Sequence, residues 1–300
     1  MNGKGSRLRL LVCEAYPYEV RQQLRSVGAS EAGELWRRVL RGIEPGLEVE
    51  IACVADLEEA LPGEEKLQGY DGVVWTGSSL TVHDRQDQRV QRQIAFARRL
   101  RRAGIPQFGS CWGVQLAAVV GGGACAKNHR GREFGVARRI HLLAGALRHP
   151  MYRGKPASFL AFTSHADHVV ELPQEASWLA ANVFSPVQAL ALDQGAAFWG
   201  VQYHPEYDFR EIARLCVFRA EELLAQGQFR DRSELEAYVG ALEELHRDPS
   251  CTEAQRLVGV DATLLSAAER QREIRNWLSW LRSARGMQPL EEGHSEESGW

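Results

Sequence analysis

Short apolar runs alternate with stretches of helical period through the first 225 residues, and this alternation restricts the chain to few architectures. Residues 8–13, 49–54 and 72–75 have the continuous apolar character of strands covered on both faces, while 31–41 and 86–102 carry apolar residues at helix spacing. Strand and helix in turn predict a doubly wound α/β fold, with a mostly parallel sheet and helices on both faces. Residues 134–143, 159–170, 178–180, 188–192 and 197–203 are short runs with turns between them. They read as added antiparallel strands before a closing helix at 210–224. From residue 227 the pattern is helical only, with clear segments at 233–245 and 266–281, and Ser266 with Glu269 fits a helix-starting capping box. The expected organisation is an α/β unit over 1–226, a small helical extension over 227–285 and a loose Gly, Ser and Glu-rich tail over 286–300.

Charge and cysteine usage exclude several classes. With 36 basic against 39 acidic side chains the net charge is −3, which supplies no general attraction to nucleic acid. Arginine makes up 32 of the 36 basic residues and crowds into 85–102, where the helical spacing makes a solvated helix face the simpler reading. No stretch approaches the ~18–20 apolar residues of a membrane span, and the basic start at 1–9 is not followed by a long apolar segment. A cytoplasmic location without membrane attachment is expected. Cysteines at 13, 53, 111, 125, 216 and 251 form no C-x-x-C pair, so a zinc ribbon or thioredoxin chemistry lacks its signal. Five of the six sit in or near apolar runs and are expected to be reduced; Cys111 differs.

Residues 105–108 form a strand-like lead into Gly109-Ser110-Cys111-Trp112-Gly113, and residues 114–120 continue with helix-compatible apolar side chains. This is strand, sharp turn, helix. A nucleophile elbow needs small residues two before and two after the reactive side chain, because the turn packs closely on its neighbours. Gly109 and Gly113 meet that need and place Cys111 at a helix N-terminus, where backbone N–H groups favour negative charge. The plain alternative is a buried Cys in an ordinary strand-to-helix turn, and the pentapeptide alone leaves both open.

A sulfur nucleophile needs a base and the base an orienting carboxylate. His204-Pro205-Glu206 supplies both, two residues apart in an extended segment, so that the side chains point to one side. A lone His at a strand end is more often structural, but a matched carboxylate and an upstream Cys turn favour the triad. The chain order Cys, His, Glu also departs from the Ser, Asp, His order of α/β-hydrolases.

These residues resemble the class I, triad-type glutamine amidotransferases, in particular the amidotransferase domain of GMP synthase and its stand-alone relatives, over roughly residues 8–225. Relatives carry G-x-C-x-G-x-Q, matched by Gly109, Cys111, Gly113 and Gln115; H-P-E, matched by His204, Pro205 and Glu206; and E-F-G, matched by Glu133, Phe134 and Gly135. The S-H-x-D element of the GMP synthase branch is matched by Ser164, His165, Ala166 and Asp167. The resemblance implies a flavodoxin-like α/β domain that hydrolyses a γ-carboxamide with no metal or organic cofactor. Cys111 would attack, His204 would shuttle the proton, Glu206 would orient it, and the backbone of Gly77 and Trp112 would hold the oxyanion. Gln115 would help bind substrate. For His165 and Asp167 three roles are open: bordering the substrate cleft, lining a partner interface, or capping a loop. Relatives usually show a Gly-Gly pair after the preceding strand, whereas this chain has Thr76-Gly77-Ser78-Ser79, which bears on glutamine affinity.

The chain has neither an ATP-pyrophosphatase S-G-G-x-D-S loop nor a G-x-x-x-x-G-K-[ST] phosphate cradle, so it is expected to cleave and not to synthesise. Two enzymatic readings follow. One is a glutaminase that delivers ammonia to a separately encoded synthetase or ligase, docked through the helical tail or the 85–102 face. The other is a free-standing hydrolase of γ-glutamyl amides or peptides, to which the altered 76–79 loop points. A binding or regulatory module is a third, and the presence of Cys111, His204 and Glu206 together argues against it.

Overall fold

Leu10, Leu11, Val12 and Cys13 are fully buried, as a strand in the middle of a two-sided sheet must be. The computed structural model describes residues 7–137 and 139–290. In chain order the strands are β1 (Arg9–Glu14), β2 (Glu48–Cys53), β3 (Gly72–Trp75), β4 (Gln107–Ser110), β5 (Ala124–Lys127), β6 (Glu133–Val136) and β7 (Ile140–Leu142). They continue with β8 (Ser158–Phe159), β9 (Phe162–His165), β10 (Asp167–Glu171), β11 (Ala176–Ala181), β12 (Ala189–Leu192) and β13 (Phe198–Val201). The helices are α1 (Tyr18–Ser26), α2 (Ala32–Ile43), α3 (Glu64–Leu67), α4 (Gln88–Arg102), α5 (Trp112–Val120) and α6 (Phe209–Phe218). After these come α7 (Ala220–Ala225), α8 (Arg232–Arg247), α9 (Thr252–Val258), α10 (Ala262–Leu265), α11 (Ala267–Arg270) and α12 (Arg272–Ala284).

Among the described residues the main sheet runs β2-β1-β3-β4-β13-β12-β11-β7-β8. The first five strands are parallel and the remainder antiparallel, as the change of pattern along the sequence implies. Alternate side chains feed opposite layers. Leu10, Val12, Val74 and Phe108 join α2 and α6 on one face, while Leu11, Cys13, Val73 and Trp75 join α4 and α5 on the other. Two short antiparallel pairs, β5 with β10 and β6 with β9, stand apart from this sheet. Helix α1 carries too weak an apolar period to predict it, because its polar composition leaves Leu24 as its buried apolar residue. The single helix expected over 210–224 is instead two, α6 and α7, which the structure separates at Arg219. The arginines of α4 are not left to solvent alone: Arg89 bonds Glu19, Arg92 the Leu57 carbonyl and Arg101 both Glu175 and the Gln194 carbonyl. No helix among the described residues is long and apolar enough to cross a membrane.

Helix α12 belongs to the layer that α2 and α6 form. Its Ile274, Trp277, Leu278 and Leu281 enter the same core, and the Trp277 ring lies 5.7 Å from Phe108 on β4. Each such buried side chain contributes about 1.5–3 kcal/mol. Ser266 Oγ accepts from Glu269 N at 3.3 Å, which is the capping expected there, although the Glu269 carboxylate turns to Arg272. The division into 1–226, 227–285 and 286–300 is accordingly a proposal about chain organisation, since the helices after 227 share the core of the sheet. Residues 1–6 and 291–300, and with them most of the expected loose tail, lie outside the described residues.

A buried polar chain ties α12 to the strand end that carries His204. Glu273, fully buried, accepts from the Tyr203 hydroxyl at 2.6 Å and from Lys155 Nζ at 3.0 Å, and Tyr203 also bonds the Tyr152 hydroxyl at 2.8 Å. Burial lowers the pKa of Lys155 and the Glu273 charge opposes it. Removing one member of such a pair strands the other, so Glu273→Ala is expected to lose about 3–5 kcal/mol in urea denaturation. A loss below ~1 kcal/mol would mean the ammonium and the phenol find other partners.

Candidate active site

The turn after β4 holds Cys111 at φ 50°, the sole residue other than glycine with positive φ among the described residues. Such a conformation persists only where neighbours impose it. Cys111 N donates to the Val201 carbonyl at 2.7 Å, which pins the turn to the end of β13. The two glycines of the turn are not equivalent. A Cβ on Gly109 would lie 2.7 Å from Gly113 Cα and 2.9 Å from Trp75 Cβ, whereas one on Gly113 would meet Trp75 Cβ at an ordinary 3.4 Å. On β13, Gly200 packs as closely, 2.6 Å from Val114 Cα by the same construction, and no quoted motif contains it. Close backbone approaches of this kind let α5 descend onto β4 and β13 and set Cys111 at its N-terminus.

His204 and Glu206 arrive from the segment just past β13. His204 Nδ1 and Glu206 Oε1 are 2.7 Å apart, both residues are buried, and the His204 backbone N–H is held by the Phe162 carbonyl at 2.8 Å. Ser110 Oγ, from inside the turn, donates to the same Oε1 at 2.7 Å. The Tyr207 ring stacks on the imidazole with centroids 3.9 Å apart and planes at 4°. His204 Nε2 is buried with no hydrogen-bond partner among the described residues, so it is the nitrogen left to a reacting group. Burial pushes the His204 pKa down, but the Glu206 charge, together with interactions with Cys111 and the bond to Glu206, outweighs it and raises the value to about 9. The Cys111 sulfur lies 3.9 Å from the Ser164 carbonyl oxygen.

Residues 76–80 close the site from β3. A Cβ at Gly77 would come within 3.0 Å of His204 Cε1, so this loop lies directly against the imidazole. Thr76 holds the loop: its hydroxyl accepts from Ala15 N at 2.9 Å and donates to the Gly77 carbonyl at 2.8 Å. Trp112 opens α5, where first-turn N–H groups lack intrahelical acceptors.

A cleft of about 110 Å³ opens on Cys111 and is lined by Ser78 to Thr81, Gln115, Arg132, Ser164 to Asp167 and Arg219. Gln115, His165 and Asp167 thus all border the cleft. Their side chains differ in freedom. Gln115 Nε2 donates to the Asp167 carbonyl at 3.1 Å. Both His165 nitrogens are engaged, Nδ1 at 2.9 Å from the Asp167 carbonyl and Nε2 at 2.9 Å from Glu133 Oε2. His165 therefore presents its backbone and ring surface, and the Glu133 of the E-F-G stretch is its anchor. Asp167 Oδ2 lies 3.3 Å from His83 Nε2. Ser110 and Tyr207 sit inside or beside quoted motifs and could have been found there; Arg132 adjoins one, whereas nothing local marks Arg219.

A strand-turn-helix bend at Cys111 at the C-terminal end of the parallel strands, with a buried His204–Glu206 pair just past β13, is the arrangement that the sequence motifs lead one to expect of an α/β amidotransferase. The family model for glutamine amidotransferase class-I matches residues 38–220. The chain belongs to this family. A Pseudomonas protein named gamma-glutamyl-L-1-hydroxyisopropylamide hydrolase is 30% identical over 283 residues, covering 92% of this chain and 93% of that protein. The GMP synthase of Bordetella avium is 31% identical over 157 residues, 50% of this chain, and the chain spans only 28% of that synthase's length. Crystal structures of glutamine amidotransferases from Methylobacillus flagellatus and Thermotoga maritima match with TM-scores of 0.60 and 0.59, covering 98% and 84% of this chain at 18% and 19% identity. They cover 99% and 98% of those proteins and agree with the α/β fold.

Two outcomes follow from this geometry. Gly109→Ala is expected to cost about 1–3 kcal/mol in urea denaturation by overpacking, and Gly113→Ala to stay within about 1 kcal/mol of the parent. For His204, whose folded pKa of about 9 exceeds the ordinary value, the charged ring adds stability that is complete below about pH 6.5 and lost as pH rises through 9. NMR titration should show the His204 ring changing state near 9, and Glu206→Gln should bring that midpoint down by removing the opposing charge. An unmoved midpoint would show that Glu206 does not govern the imidazole.

Proposed function

We propose that this protein hydrolyses the γ-amide bond of a γ-glutamyl compound through a thioester on Cys111. The observation that carries the reading is the buried His204–Glu206 pair, with Nε2 unpartnered and the pair fastened to the Cys111 bend through Ser110. In the first half-reaction the sulfur adds to the amide carbon, and its proton, held on His204, passes to the departing nitrogen as the C–N bond breaks. The negative oxygen formed meanwhile is met by the N–H groups of Gly77 and Trp112. In the second, water attacks the thioester and gives one proton to His204, the C–S bond breaks and that proton restores the Cys111–His204 pair, while the γ-carboxylic acid formed passes its remaining proton to the free amine and leaves as a carboxylate. Glu206 keeps Nδ1 protonated throughout and offsets the imidazolium charge. Ser110 and Tyr207 fix the orientation of that pair.

Of the two enzymatic readings, the free-standing hydrolase is the better supported. The Pseudomonas hydrolase matches along 92% of the chain, including the helices after 227, whereas the synthase likeness covers 50% of it. Those helices supply Glu273 and Trp277 to the core beneath the site, so they have a structural reason to accompany the chemistry without a docking role. Delivery of ammonia to a separate synthetase is the second reading, which the GMP synthase likeness favours.

The test is a panel of γ-glutamyl alkylamides, γ-glutamyl amino acids and glutamine, with glutamate release and intact-protein mass spectrometry as readouts. Turnover of the substituted amides, a γ-glutamyl adduct on Cys111 and a fall of about 10²–10⁴-fold in kcat for His204→Asn are expected. Release from glutamine alone would return the assignment to an ammonia donor, and retention of activity in Cys111→Ala would remove the thioester altogether.

A further inference from the structure

Two guanidinium groups share the cleft with Cys111. Arg132, just before β6, and Arg219, between α6 and α7, both line it, and their side chains are only 13% and 12% exposed. Glu222 on α7 bridges them, accepting from Arg132 Nε at 2.8 Å and from Arg219 Nη1 at 3.2 Å. One carboxylate thus balances two cations. Arg219 Nε is buried with no hydrogen-bond partner among the described residues. Burial works to raise the pKa of Glu222, but the two arginines hold it below the ordinary carboxylate value, so the bridge is itself ionised at neutral pH. The other charged group bordering the cleft is Asp167, which is paired with His83. An unbalanced positive charge withdrawn from water costs free energy until an anion joins it, and a planar guanidinium favours a carboxylate.

We propose that Arg132 and Arg219 form a subsite for a substrate carboxylate, so that the chain selects γ-glutamyl compounds bearing a free carboxylate near the scissile amide. This rests on the hydrolase reading above and adds the group that the cleft recognises. The carboxylate has two possible sources, the α-carboxylate of the γ-glutamyl head and an acid carried by the leaving amine.

The experiment compares the parent with Arg132→Gln, Arg219→Gln and Glu222→Gln on three substrates: a γ-glutamyl alkylamide, the same compound with its α-carboxylate converted to an amide, and a γ-glutamyl amino acid. Each Arg→Gln variant should raise KM about tenfold or more for the carboxylate-bearing substrate, with kcat nearly kept. Sensitivity that disappears with the α-amide assigns the subsite to the head group, and sensitivity found only with the γ-glutamyl amino acid assigns it to the leaving group. Glu222→Gln frees both cations, so its KM should stay level or fall; a purely structural bridge would instead make all three variants alike. Arg132→Lys, with the charge but not the fork, should show a partial rise and covers the case in which Arg132→Gln does not fold. Calorimetry on Cys111→Ser with L-glutamate and with its α-amide needs no turnover. If the parent cleaves no γ-glutamyl compound yet Cys111→Ser binds L-glutamate in an Arg132-dependent way, the hydrolase reading falls and the subsite stands. Equal KM changes on every substrate, together with binding unaffected by either arginine, overturn the subsite.

Discussion

The descent of α5 onto the ends of β4 and β13 is the constraint on which the rest of the site depends. The approach is possible because Gly109 and Gly200 leave no side chain between the helix and the strands, and it forces the residue at the bend into positive φ. A cysteine there carries strain that the surrounding core must offset. Trp75, Phe108 and Trp199 are all buried around the same strands. The turn therefore fixes the sulfur by packing, before any polar contact is made.

The charged part of the site depends on the same layer. Glu206 is buried and would be costly alone, but its Oε1 takes one hydrogen bond from the Ser110 hydroxyl of the turn and stands opposite His204 Nδ1. The acid is thus fastened both to the strand that leads into Cys111 and to the imidazole. Beneath them Tyr203, adjacent to His204, ends on Glu273 of α12. A helix from the last part of the chain thereby supports a residue next to the imidazole, which gives a physical account of why likeness to the Pseudomonas hydrolase runs through the C-terminal helices.

Much of this was legible in the residues. Apolar runs buried on both faces gave away the parallel strands, and the Cys111 turn and the His204-Pro205-Glu206 segment announced themselves by small residues and spacing. Other parts left no local mark. Helix α1 is amphipathic with few apolar residues, and its single buried leucine is too weak a signal. Gly200 looks like any glycine in a strand until Val114 is seen against it. His165 was open among three roles, and its anchoring by Glu133 depends on the pairing of β6 with β9, which brings residues 133 and 165 opposite each other.

What the chain's order of residues determined by itself was the alternation of elements, the bend at residue 111 and the identity of the groups flanking it. These are local properties, set by side-chain size, period and backbone freedom over a few residues. Tertiary structure decided the rest: that α12 covers the sheet as one of its own layers, that Ser110 completes the bond to Glu206, and that Arg132 and Arg219 meet at one cleft. Such pairings join positions far apart in the chain, and only the folding of the sheet and its two layers brings them within hydrogen-bonding reach.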